Sequence, residues 1–238
     1  MKISELKVKG YRSLKDVAWR PGDLNVLIGP NGGGKSNLLR VLQLLQAAAD
    51  GGLSKWVDRE GGLVPMMYDG SGNWIGFDVA IGPVEGSRGS AHGKFCYEWQ
   101  LGPEASSGSH AIIMESLLDY EESGTRGTFF SRQGRDVQFL HREGRHRSLA
   151  RSDIPPGEVA MSALGGMLDA DPVIRETAKY IANWGLYPEF HSGRTRLRDT
   201  ASLFATRPGS NGTGRTSYRC CTRYTRTTRS SGTTSTVP

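Results

Sequence analysis

A chain of 238 residues with 37% hydrophobic and 23% charged side chains has room for one α/β domain or part of a larger one, and is too apolar for wholesale disorder. It has no run of eighteen apolar residues for a membrane helix. The opening MKISELKVKGYRSLKD alternates and carries charge, unlike the apolar centre of a signal peptide, so the expected compartment is the cytoplasm.

The net charge of +6 is uneven. From Arg194 onward nine arginines face a single acid, Asp199, which leaves the first 193 residues at −2. Basic character therefore belongs to one tail. Cys96, Cys220 and Cys221 form neither a disulfide framework nor a metal-ligand spacing.

In chain order, Ile3, Leu6, Val8 and then Leu14, Val17, Trp19 alternate with polar residues, which predicts two strands joined by a turn at Gly10–Ser13. Leu24–Ile28 is a compact apolar run of the kind that fits a buried parallel strand. From Ser36, the spacing of Leu38, Val41, Leu42 and Leu45 predicts an amphipathic helix that stops near Asp50-Gly51-Gly52. Trp74, Phe77, Val79, Ile81 and Phe95, Tyr97, Trp99, Leu101 predict an antiparallel pair across a glycine- and serine-rich connector at 82–93. Residues 102–111 read as a loop, and 112–118 and 128–140 as further strands. Residues 172–184 read as a helix with Asp171 as N-cap and Pro172 in the first helical position.

Between the apolar run and the first helix lies Gly29-Pro30-Asn31-Gly32-Gly33-Gly34-Lys35-Ser36, which matches G-x-x-x-x-G-K-[ST] in the strand–loop–helix setting that pattern requires. Glycines let the backbone curl so that successive N–H groups point inward at an anion. The helix adds its free amides and positive dipole end. Lys35 is then expected to reach the β- and γ-phosphates and the Ser36 hydroxyl to ligate Mg²⁺. A chance match in a chain with 32 glycines is the alternative.

Met1–Val17 followed by Leu27-Ile28-Gly29-Pro30-Asn31-Gly32-Gly33-Gly34-Lys35-Ser36-Asn37-Leu38-Leu39 resembles the N-terminus of ABC-type AAA-domain ATPases, relatives of RecF, of the OLD nucleases and of SMC heads. The resemblance covers roughly 1–204 and continues through Tyr97–Trp99, Glu115–Leu117, Ser162–Leu164 and Trp184–Arg198. It implies an α/β P-loop NTPase fold, an ABC-ATPase-like N-terminal lobe with an antiparallel β subdomain. A central mixed sheet would carry the loop, with the antiparallel lobe on one side and helices on the other. It implies ATP and Mg²⁺ as ligands, bound by Gly29–Asn37, with Arg12 near the nucleotide phosphates or else a solvated turn arginine. It further implies a homodimer of heads, DNA as a partner in repair or phage defence, and no membrane.

The sequence departs from that family in its second half. No apolar strand ends in Asp-Glu. Asp119-Tyr120-Glu121-Glu122 is the nearest candidate and reads better as a surface strand end, while Ser162-Ala163-Leu164-Gly165-Gly166 reads better as a helix-to-loop transition than as a serine–glycine signature. No catalytic residue is therefore assigned, and phosphate binding is supported where hydrolysis is not. Glu115 and Glu158 fit no site, and the five histidines (His92, His110, His141, His146, His191) show no metal spacing and read as solvated.

From Ala205 the last 34 residues hold ten threonines and one valine but no leucine or isoleucine, so 205–238 is expected to form no core. In the overlapping frame that begins on each codon's third base, Cys220-Cys221 forces leucine, Cys221-Thr222 forces histidine or tyrosine, and Ser217-Tyr218 and Arg223-Tyr224 force Leu, Ile or Val. One consistent choice restores D-G-A-N-L-V-S-V-L-H-A-L, which resembles the family's next segment. The expectation is a frame shift between about Leu203 and Gly212, with 1–204 the N-terminal portion of a head. The alternative is an Arg/Thr-rich tail for nucleic acid or a membrane surface.

Three functions remain open on the sequence: an ATP-driven head of a DNA-linked machine, a P-loop kinase, and a nucleotide-binding lobe without turnover. The antiparallel β pattern at 72–140 counts against the kinase.

Overall fold

The structure, a computed structural model, describes residues 1–70, 72–82, 94–104, 109–121, 124–150 and 153–186. The 204/205 boundary, the tail with its proposed frame shift, and the 83–93 connector lie outside them, as do His92, His191, Cys220 and Cys221.

Eight strands form one sheet: β1 (Lys2–Tyr11), β2 (Leu14–Trp19), β3 (Ile75–Gly82), β4 (Lys94–Pro103), β5 (His110–Glu121), β6 (Gly124–Gln133), β7 (Asp136–Leu140) and β8 (His146–Leu149), in the order β2-β1-β3-β4-β5-β6-β7-β8. Every pairing is antiparallel. Four helices accompany it: α1 (Lys35–Ala49), α2 (Leu53–Arg59), α3 (Ala160–Gly166) and α4 (Pro172–Ala182), with short 3₁₀ turns at Val64–Met66 and Tyr68–Gly70.

The period-two pattern explains the layering. Register aligns Leu6, Val79, Tyr97, Leu117, Phe130 and Phe139 in one row across six strands, and all six are buried. The opposite face carries Lys7, Asp78, Glu98, Ser116, Ser131 and Gln138 in a parallel row. An antiparallel sheet can leave one face polar in this way, whereas a parallel sheet cannot. Phe77 stacks on Trp99 of the neighbouring strand with ring centroids 4.6 Å apart.

Helix α1 buries Leu38, Val41, Leu42 and Leu45, the four positions its spacing marks. It stops at Asp50, where the Gly51 and Gly52 amides bond the carbonyls of Ala48 and Ala47. Gln46 ties it to the end of α4, its amide donating to the carbonyls of Ala182 (3.0 Å) and Trp184 (2.7 Å). Helix α4 starts as the sequence predicts, with the Asp171 carboxylate accepting from the Val173 amide at 2.8 Å and Pro172 in first position.

Four expectations are corrected. Leu24–Ile28 is not a strand, and Ile28 is 84% exposed. The Asn25 side chain closes a local turn on Gly22, accepting from its amide and donating to its carbonyl at 3.0 Å each. That competes with a ladder. A parallel strand also needs a neighbour running its way, and all seven pairings among the described residues are antiparallel, so the sheet here is not mixed. The loop at 102–111 is shorter than its composition suggests, since β4 runs to Pro103 and β5 begins at His110. Finally, His110 and His141 are buried, 8% and 3% exposed, not solvated.

Among the described residues no helix is long and apolar enough to cross a membrane, and no cluster of His, Cys, Asp and Glu could hold a metal ion.

A candidate nucleotide-phosphate site

Residues 29–34 follow a segment without regular secondary structure and run directly into α1. Gly32 (φ 81°) and Gly34 (φ 85°) both adopt left-handed backbone, which costs an L side chain roughly 1–2 kcal/mol. A tight turn closes inside the loop, the Gly33 amide donating to the Pro30 carbonyl at 3.1 Å. Lys35 folds back over it and donates to the carbonyls of Gly29 and Pro30, each at 2.7 Å. The ammonium is thus held over the loop, not extended into solvent.

The β1–β2 turn packs on this loop. A Cβ on Gly34 would sit 3.0 Å from Leu14 Cδ2 and 3.1 Å from Ser13 Oγ. The Asn37 amide donates to Ser13 Oγ at 2.8 Å. Beside them a cleft of about 250 Å³ opens between β2 and the loop, lined by Val17, Trp19, Leu27 and Ile28 on its apolar side and by Gly33 and Lys35 on the other.

The four helix N-termini are treated differently. The Glu158 carboxylate accepts from the Leu53 and Ser54 amides that open α2, at 3.1 and 2.9 Å. The Glu115 carboxylate accepts from the Ala160 and Met161 amides that open α3, at 2.5 and 2.8 Å. Asp171 caps α4. Helix α1, the longest, has no side-chain cap and no acid in its first turn. Its free amides and the positive end of its dipole face the same loop that carries Lys35.

Glu115 and Glu158 were without a role on the sequence, because their partners lie 45 and 105 residues away in the chain. Glu115 is fully buried on β5. It also accepts from the Tyr97 hydroxyl at 3.0 Å, opposite Arg132 of β6 in the register. Burial pushes its carboxyl up to about 7, against the lowering pull of the two amides, Arg132 and Tyr97. Arg132, 1% exposed, spends its donors on backbone carbonyls, those of Gly134 (2.7 Å), Glu158 (2.5 Å), Pro155 (3.4 Å) and Pro156 (3.3 Å). This cluster fastens α3 to the sheet.

Arg12 occupies the β1–β2 turn at φ 48° and is ion-paired with Glu60, the residue that ends α2. The structure places it beside the loop but turned to a carboxylate. Glu60 carried no sequence signal, since nothing in its neighbourhood marks it as the partner of residue 12. Asp119 and Glu121 lie on β5, three strands from β1. At about 4.8 Å per strand that is roughly 14 Å across the sheet. Ser162–Gly166 forms most of α3, which ends at Met167, as a helix-to-loop transition should.

Residues 1–60 match the family described as AAA ATPase domain. A curated relative, the cytochrome c biogenesis ATP-binding export protein CcmA of Rhodospirillum rubrum, is 42% identical over 82 residues, which is 33% of this chain and 35% of that protein. The chain thus spans about a third of that relative's length. A solved SMC ATPase, described for ATP-driven dimerization and DNA-stimulated activation, aligns with 47% of this chain and 68% of its own at 21% identity and a TM-score of 0.36, too low to carry an argument. The family match and the curated relative support a likeness to ABC/AAA-type ATPase heads over part of the chain.

Proposed function

We propose that this chain is the nucleotide-binding lobe of an ATPase head, with Gly29–Asn37 as the phosphate cradle. The observation that carries the reading is the bare N-terminus of α1, the only one of the four α-helices among the described residues without a carboxylate on its opening amides, with Lys35 held over the same loop. An anionic ligand completes what Glu158, Glu115 and Asp171 do for the other three. Gly29, Asn31, Gly32 and Gly34 supply backbone amides, Pro30 and Gly33 close the turn that aims them, and Lys35 leaves its two carbonyls for the β- and γ-phosphates. Asn37 fixes the loop to the β1–β2 turn through Ser13. The apolar side of the cleft by Trp19 suits the less polar end of a nucleotide.

The Ser36 hydroxyl has no hydrogen-bond partner among the described residues and is the group that would hold Mg²⁺, which when bound neutralises phosphate oxygens. Turnover requires an acid that orients water at the γ-phosphate, and Asp119 and Glu121 sit three strands from β1. We therefore assign binding without hydrolysis to this chain by itself, with residues 1–204 as the N-terminal portion of a complete head. In the complete protein we place ATP-driven pairing of two heads and cytoplasmic work on DNA, in repair or phage defence, on the strength of the motif resemblance.

The test is titration of the full chain with a fluorescent ATP analogue in Mg²⁺. Saturable binding that Lys35→Ala removes, with unfolding temperature unchanged, is the expected result. Equal affinity in that variant would sink the assignment.

A further inference from the structure

Arg12 immediately precedes Ser13 in the turn that touches Gly34, yet its guanidinium does not lie free over the loop. It is ion-paired with Glu60. Glu60 also meets Arg40 at 3.8 Å. Arg40 lies five residues beyond Lys35, about 7.5 Å further along α1. The carboxylate therefore holds the Arg12 guanidinium at the end of α2, on a carboxylate it shares with Arg40 of α1.

The backbone does not need this pair. The Arg12 amide donates to the Met66 carbonyl at 2.9 Å, Tyr11 bridges to Met67, and Ser13 accepts from Asn37. The turn is held on both sides of residue 12, so the side chain can swing while the main chain stays. Nor does the pair satisfy the guanidinium, whose Nε is buried with no partner. Arginine presents five donors in a fixed fork, and a phosphate can engage more of them than Glu60 does.

We infer that Glu60 is a positioning residue that holds Arg12 away from the phosphate cradle until a nucleotide's phosphates compete for it. The inference rests on the nucleotide reading above. It makes binding a partner exchange for Arg12, from the end of α2 to the ligand, and leaves Glu60 to Arg40. The end of α2 is thereby coupled to occupancy of the loop.

The experiment titrates the full chain and its variants with the same ATP analogue in Mg²⁺. Lys35→Ala separates the two claims: if wild type does not bind, or binds equally without Lys35, the nucleotide reading fails whatever Glu60 does. Given Lys35-dependent binding, Glu60→Gln is expected to bind about fivefold tighter, the size of a partly exposed ion pair that no longer has to be broken. The gain should vanish in the Arg12→Ala background, where adding Glu60→Gln changes nothing. A merely structural salt bridge predicts weaker binding or none of this dependence. Unchanged or weaker binding in folded Glu60→Gln, or the same gain without Arg12, overturns the inference. Where Gln fails to fold, Glu60→Asp, shorter by one methylene, repeats the test. Failure of both to fold makes the pair structural and overturns the inference as well.

Discussion

The opening turns of α1 and α3 are chemically alike and are handled in opposite ways. At α3 the free amides meet a buried carboxylate, Glu115, itself hydrogen-bonded by Tyr97 and set opposite Arg132. At α1 they meet no side-chain acceptor, and the nearby charge is a lysine resting on two carbonyls. A helix end satisfied from within contributes stability and little else. One left open beside a movable cation is reserved for something that arrives from outside.

The largest expected effect falls on the closed end. Glu115→Ala leaves two amides and a buried tyrosine hydroxyl without their acceptor, removes the negative charge opposite Arg132, and should cost about 3 to 5 kcal/mol in urea unfolding. Nucleotide affinity of the remaining folded protein should be unchanged. A coupled loss of affinity would break the separation between the two ends.

Next is the pH dependence of the same group. Burial pushes the folded carboxyl up to about 7, above the ordinary carboxylate range near 4.5. The folded state therefore holds the proton more tightly than the unfolded chain, so this contribution is fully present below about 4.5 and is lost as pH rises through 7. The shift corresponds to about 3 kcal/mol. Chemical denaturation between pH 4.5 and 8 should show stability falling across that window, and Glu115→Gln should flatten the slope.

At the open end, Lys35→Ala removes charge-assisted contacts worth about 2 kcal/mol, a roughly thirtyfold loss of ATP-analogue affinity by fluorescence titration. Its unfolding temperature should match wild type, because the lysine is only half-buried and its two bonds go to loop carbonyls that water can reach in its place. Gly34→Ala forces a side chain into left-handed backbone and against Leu14 and Ser13. Its expected cost is about 1 to 2 kcal/mol, with weaker nucleotide binding by the same titration. The smallest effect belongs to Ile28→Ser. At 84% exposure the change should shift stability by under about 0.5 kcal/mol, while self-association, read by light scattering, should fall.

What the sequence carried follows from the range of each interaction. Leu38, Val41, Leu42 and Leu45, the alternating rows of β3 and β4, and the Asp171-Pro172 start of α4 are local patterns and were legible. So was the loop at 29–37, whose chemistry is written in consecutive residues. The partners of Glu115, Glu158 and Glu60 are set by how the chain folds back, and no spacing encodes them. Strand β8, His-Arg-Ser-Leu, has too few apolar residues to alternate, and α2 and α3 span seven residues each, too short for a clear helical period. Leu24–Ile28 misled because apolar composition states a wish for burial, while the ladder depends on a neighbour and Asn25 offers a competing turn.

The order of the strands also bears on how the molecule assembles. From β3 to β8 each strand pairs with the next in sequence, so that part of the sheet is built from short closures. The exception is β1 against β3, which must enclose β2, the phosphate loop, α1 and α2 before Lys9 can meet Gly76. Closing that span costs more chain entropy than any hairpin in the sheet. The loop therefore lies within the sheet's longest detour, and a lesion in the β1–β3 seam would unseat it while the short closures beyond β3 still formed.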